Sequence, residues 1–147
     1  MPTELPAGFE ISTDRARIDV ALVHEFLRSS YWAEGRQRTL VERSIQHSLC
    51  FGVYHLGRQV AFARVVSDRA VFAYLMDVFV LPEFRGRGIS KALMRSVLGH
   101  PDLQNLRVFL LATRDAHRLY AQFGFRSLAY PERWMAIQDP DSDARAV

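Results

Sequence analysis

Val80-Leu81-Pro82-Glu83-Phe84-Arg85-Gly86-Arg87-Gly88-Ile89-Ser90 joins an apolar strand to an amphipathic helix through a turn carrying two glycines. Upstream, residues 72–81 are rich in β-branched and aromatic side chains, and Pro82 stops the strand because proline cannot donate to a ladder. Downstream, Ile89, Ala92, Leu93, Ser96 and Val97 recur at helical spacing, with Gly99 just past the end and Pro101 preventing continuation. Gly86 and Gly88 let backbone N–H groups converge without a Cβ in the way. The helix N-terminus, Arg85 and Arg87 add positive potential, a combination suited to a pyrophosphate. Local physics alone equally allows a solvated connection.

Two nucleotide fingerprints are excluded. A Walker A loop requires Lys-Ser/Thr after its last glycine, and a dinucleotide GxGxxG requires glycine where Lys91 stands. What remains resembles the Arg/Gln-x-x-Gly-x-Gly/Ala signature of the GNAT superfamily of N-acetyltransferases, carried by Arg85, Gly88 and Ser90, with serine departing from the pattern at its last position. A second stretch, Tyr120-Ala121-Gln122-Phe123-Gly124-Phe125, is similar to the family's Tyr-x-x-x-Gly-Phe element. It follows a buried-strand pattern, Leu110-Leu111-Ala112-Thr113, and a helical stripe of Ala116, Leu119, Tyr120 and Phe123 that ends at Gly124. Together the two motifs carry the resemblance over residues 50–137.

Composition bounds the rest. A chain of 147 residues fits one domain and buries roughly two-thirds of its unfolded surface. Hydrophobic residues at 49% argue against disorder, and no apolar run approaches the ~18 residues of a membrane helix. Residues 1–8 carry Glu4 and no basic run, so no secretory signal is read and a cytoplasmic location is expected. Cys50, the lone cysteine, lies in an apolar run and reads as a buried small hydrophobe. His24, His47, His55, His100 and His117 lack ligand spacing, so no metal is expected. The net charge of +3 rests on dispersed arginines with a single lysine, Lys91, which disfavours a nucleic-acid partner and suits steering of a polyanion.

The order of elements reads as a short strand over residues 9–12, a helix from about Asp14 to Ser29, a loop over 31–36 and a helix over 37–47. Strands 49–54 and 60–66 meet in a hairpin near Gly57, and 72–81 completes an antiparallel meander. The glycine-turn helix, a strand over 107–112, the helix bearing Tyr120 and a closing strand over 134–138 follow, in one domain over 1–138 with a polar, frayed tail over 139–147. The expected fold is mixed α+β of the GNAT type: a twisted, mostly antiparallel sheet with helices on both faces. The resemblance implies that strands 72–81 and 107–112 run parallel and splay, leaving a slot for acetyl-CoA.

It also implies roles. Arg85, Gly86, Arg87, Gly88, Ile89 and Ser90 would hold the pyrophosphate; Thr113, at the position of a family asparagine, would meet the pantetheine arm; backbone N–H groups of Phe79 and Val80 would hold the thioester oxygen; and Tyr120 would protonate the leaving thiolate. Sequence spacing alone favours Tyr120 as a member of an apolar stripe, and the resemblance reverses that preference. Asp77 is the one carboxylate within strand 72–81, where a charge is costly unless paired or functional. It is assigned to binding or deprotonating the amine, against a structural role, with Glu34 and His117 as substitutes. Tyr31, Trp32, Glu34, Tyr74, Arg133 and Trp134 would select the acceptor, although Tyr31 and Trp32 are equally suited to anchoring their loop. Aromatic walls with one acid suit a small amine with an apolar body. The reading is an enzyme moving acetyl directly from acetyl-CoA to a primary amine, with a homodimer left open. The competing reading is a non-catalytic acyl-CoA-binding sensor, which would need neither Asp77 nor Tyr120.

Overall fold

The computed structural model describes residues 5–145. Five strands form one sheet in the order β1-β2-β3-β4-β5: β1 (Phe9–Ser12), β2 (Leu49–His55), β3 (Arg58–Ser67), β4 (Phe72–Val80) and β5 (Val108–Leu111). The first four pair antiparallel, and β5 joins β4 in parallel, Phe72 to Leu75 facing Val108 to Leu111. The β2–β3 hairpin turns through Leu56 and Gly57, both at positive φ (51° and 86°), as a two-residue primed turn requires. Beyond Leu75, β4 runs on without β5, and this divergence opens the expected slot.

β4 also bulges. Met76 faces Arg64 and Phe79 faces Phe62, so Asp77 and Val78 together oppose Ala63. Asp77 takes φ 55°, the left-handed conformation that aspartate tolerates better than most residues.

Helices α1 (Val20–Arg28) and α2 (Arg38–Gln46) pack on each other, α3 (Ile89–Gly99) lies on β2, β3 and β4, and α4 (His117–Ala121) follows β5. One core cluster joins Val23 and Leu27 of α1, Val41 and Ile45 of α2, the inward residues of the sheet, and Leu93, Met94 and Val97 of α3.

Three expectations are corrected. The first helix starts at Val20, because Asp19 accepts from Leu22 N–H while Asp14 caps a separate 3-10 turn over Arg15–Arg17. The closing strand over 134–138 is absent: Met135 and Ile137 are fully exposed and no strand of the sheet pairs with them. Residues 139–145 are docked rather than frayed, since Arg36 Nε donates to Asp143 at 2.7 Å and Gln37 N–H to the Asp143 carbonyl at 2.9 Å; the last two residues of the expected tail lie outside the described residues.

Candidate active site

The glycine turn has the geometry an anion site needs. Gly86 and Gly88 both sit at φ 78°, open space lies where a Cβ on Gly86 would point, and Gly88 caps α3 with no side-chain hydrogen bond. The first α3 bond runs from Ala92 N–H to Gly88 O at 3.1 Å, which leaves the amides of Ile89, Ser90 and Lys91 without intrahelical partners. Arg85 bends back so that its Nε donates to Val80 O at 3.0 Å. Arg87 Nη2 donates to Glu83 O at 3.3 Å, with its guanidinium 5.2 Å from the Phe84 ring centre. Both arginines are thus held at the mouth of the turn by their own backbone.

At the other end of the slot lies a cavity of about 280 Å³, walled by Tyr31, Trp32, Tyr74, Asp77, Thr113 and Tyr120 among others. The parity of β4 decides which amides face the slot. Leu81 N–H donates to Val60 O on β3, so Phe79 N–H, two residues back, faces β3 as well, and Val80 N–H between them faces the slot. Phe79 instead supports the site by packing: its ring stacks on Phe26 of α1 at 4.0 Å.

Tyr120, 8% exposed, is positioned by the short α4 and by an edge contact with Phe125, 6.0 Å between ring centres. Burial, and secondarily the nearby Tyr31, push its phenol above the ordinary value, so it stays protonated well past neutral pH. The Thr113 hydroxyl accepts from Ala116 N–H at 3.0 Å, shaping the turn into α4. Tyr31 is pinned from the same side: its hydroxyl accepts from Arg114 N–H, and the Arg114 guanidinium lies 3.7 Å from its ring centre.

Asp77 does not stand unpaired. Its carboxylate, 5% exposed, accepts from Trp32 Nε1 at 3.0 Å, from Arg36 Nη1 at 3.0 and 3.2 Å, and from Arg64 Nε at 2.9 Å. Arg64 is itself buried, with Nη1 on Ser48 Oγ at 3.0 Å, and Arg36 continues to Asp143. The acid therefore ties the 31–36 loop, β3 and the bulge of β4 together. Its oxygens are largely committed to these donors.

Glu34 and Trp134 are exposed and outside the cavity lining, His117 faces a different groove along β5, and the Arg133 guanidinium lies over Tyr130 at 3.9 Å. Asp115, which does line the cavity, escaped the sequence reading although it lies two residues past Thr113; among the described residues its carboxylate meets only Arg114, in an exposed pair at 3.3 Å. Arg36 escaped it too. Among the described residues no group of three or more His, Cys, Asp and Glu is placed to hold a metal ion, and no helix is long and apolar enough to cross a membrane.

A family model described as an acetyltransferase (GNAT) domain matches residues 46–127, which hold both motifs. Among solved structures, a protein from Xanthomonas campestris pv. campestris described as an acetyltransferase of the GNAT family is 54% identical, covers 93% of this chain and 96% of its own, and superposes with a TM-score of 0.90. A protein of Gibberella zeae named as an acetyltransferase is 29% identical over 140 residues, 79% of this chain and 78% of the relative. The chloroplastic serotonin N-acetyltransferase 2 of Oryza sativa subsp. japonica is 29% identical over 157 residues, 95% of this chain and 76% of the relative.

Proposed function

The chain belongs to the GNAT family of acetyl-CoA-dependent acetyltransferases, and from that premise we propose that it moves an acetyl group directly from acetyl-CoA to the primary amine of a small molecule with an aromatic or apolar body. The observation that carries the proposal is the cavity where β4 and β5 part, because it sets the Tyr120 phenol, aromatic walls and an accessible carboxylate around one space. The turn at Gly86 to Ser90 fits the donor's pyrophosphate: its amides are free and its glycines clear the approach.

Acetyl transfer needs a neutral amine, a polarised thioester carbonyl and a proton for the leaving sulfur. Val80 N–H, turned into the slot, is placed to hold the oxygen on which charge develops. Tyr120, kept protonated by burial, donates to the departing sulfur. Asp77 braces the acceptor wall by holding Trp32 and Arg36, and the acid left to meet an incoming ammonium is Asp115. The amine then loses its proton to Asp115 or, through it, to water.

Arg36 lines the cavity but is engaged by Asp77 and Asp143, so among the described residues an acceptor carboxylate finds no free cation in it. Tyr31, Trp32 and Tyr74 offer aromatic faces instead. The serotonin N-acetyltransferase named among the relatives supports the same acceptor class. Thiol release from acetyl-CoA, followed across a panel of primary amines, tests this: arylalkylamines should show a lower KM than aliphatic diamines or amino acids, and the reverse order would overturn the assignment.

A further inference from the structure

The last described residues of the chain return to the acceptor side of the cavity. From Arg126 onward every described residue is exposed except Asp143. That acid is presented by a 3-10 turn, Ser142–Ala144, which closes on itself: Ala144 N–H donates to Asp141 O at 3.2 Å, Asp141 N–H to Asp139 Oδ1 at 3.1 Å, and Arg145 pairs with Asp139. A polar stretch thus folds around one carboxylate and sets it against a partner 107 residues away.

The partner belongs to the loop that carries the aromatic wall. Arg36 Nε donates to Asp143 Oδ1 at 2.7 Å and its Nη2 to Oδ2 at 3.5 Å, while Nη1 donates to both Asp77 oxygens. Asp143 fixes one edge of the planar fork, which aims the remaining nitrogen at Asp77. Asp77 in turn accepts from Trp32 Nε1 at 3.0 Å. The backbone makes a parallel connection. Gln37 opens α2 with no side-chain cap; its N–H finds the Asp143 carbonyl at 2.9 Å, and its Nε2 donates to Ala144 O at 3.1 Å.

We propose, on the premise that this cavity takes the amine, that Asp143 is a positioning residue for the acceptor. Through Arg36 and Asp77 it holds Trp32 and the 31–36 loop in the shape that receives the amine's apolar body. Asp143 does not line the cavity, so its effect on the reaction passes through Arg36. Fully exposed ion pairs contribute little, but here the side chains are only 12% and 30% exposed, and two further bonds from Gln37 fasten the same turn. A wall held in this way supports the bound acceptor and the transition state alike, so its loss appears in KM rather than kcat.

Asp143→Asn keeps the shape and removes the charge, whereas Asp143→Glu keeps the charge. With acetyl-CoA saturating and an arylalkylamine varied, Asp143→Asn should raise the acceptor KM roughly fivefold with kcat changed by less than about twofold, and Asp143→Glu should recover most of that loss. CoA affinity measured by calorimetry should match the wild type in both. A second readout needs no acceptor: in a Trp134→Phe background Trp32 is the sole tryptophan, and acrylamide should quench its fluorescence more efficiently once Asp143→Asn is added. A wild-type KM or wild-type quenching in Asp143→Asn overturns the proposal. So does a fall in kcat and CoA affinity together with the rise in KM, which marks a general loss of structure. If no amine is turned over, the acceptor reading fails, and Trp32 quenching alone decides whether Asp143 holds the loop.

Discussion

Asp77→Asn keeps the side chain's size and removes the charge that Arg36 and Arg64 share. Asparagine tolerates the φ of 55° as aspartate does, so the bulge itself is not strained by the change. The carboxylate meets Trp32 Nε1, Arg36 Nη1 and Arg64 Nε within 3.2 Å. An amide presents one acceptor oxygen, and its NH₂ would face a guanidinium donor. Arg64, 7% exposed, is left with no anion, while Arg36 keeps Asp143. Removing one partner of a buried pair typically costs ~3–5 kcal/mol, and the surviving Arg36–Asp143 contact puts this case near the low end, about 3 kcal/mol. That is a large part of the ~5–15 kcal/mol that holds a domain together. With a urea m-value of roughly 1–3 kcal/mol/M, the unfolding midpoint should fall by about 1 M or more. Urea unfolding followed by far-UV circular dichroism, with turnover measured in parallel, is the assay. A loss of stability below about 1 kcal/mol accompanied by near-complete loss of turnover would refute the bracing role and make Asp77 the base.

Tyr120→Phe should leave stability nearly unchanged and lower turnover by ~10²- to 10⁴-fold. Because burial raises the Tyr120 phenol above its ordinary 10.0, the wild-type rate should hold below that range and fall as pH rises through the raised value, a limb the Phe variant should lack in a pH–rate profile. Burial likewise pushes the Cys50 thiol from 9.0 up to about 11, so folding stability is fully present below pH 9 and declines as pH rises toward 11. That contribution amounts to at most ~3 kcal/mol, and urea unfolding of the wild type and Cys50→Ala between pH 8 and 10 should show a shallower decline in the variant. Gly88→Val places a branched side chain at φ 78°, at a backbone cost of about 1–2 kcal/mol, and sets it against the phosphate approach. Calorimetry should show CoA affinity falling at least tenfold while the fold persists, and Ser90→Gly should bind CoA as tightly as the wild type or more so.

What the sequence made legible was governed by local chemistry. Pro82, Gly86, Gly88 and Gly124 punctuate the chain where they stand, and the alternation of β4 and the stripe of α3 needed no knowledge of distant partners. The strand–turn–helix at residues 80–90 and the placement of Tyr120 were readable for that reason. The start of α1 was missed because Asp14 and Asp19 are both good caps, and only the structure shows which of them opens the α-helix. The partners of Asp77 were hidden because Arg36 and Arg64 lie 41 and 13 residues away and meet it only once the sheet and the 31–36 loop have formed. Glu34 and Trp134 had suitable chemistry on segments that point elsewhere. The 134–138 segment has a strand's composition, but composition does not reveal whether a sheet edge lies within its reach to pair with it.

Direct acetyl transfer at the parting of β4 and β5 leaves no acetyl group on the enzyme. Its most direct test combines mass spectrometry of the intact protein with product analysis after incubation with acetyl-CoA and an arylalkylamine. One N-acetylated amine should form for each free thiol released, with no acetyl group retained on the protein. Tight binding of acetyl-CoA without turnover of any amine would instead identify an acyl-CoA sensor, and an acetylated protein that passes its acetyl group to the amine would contradict direct transfer.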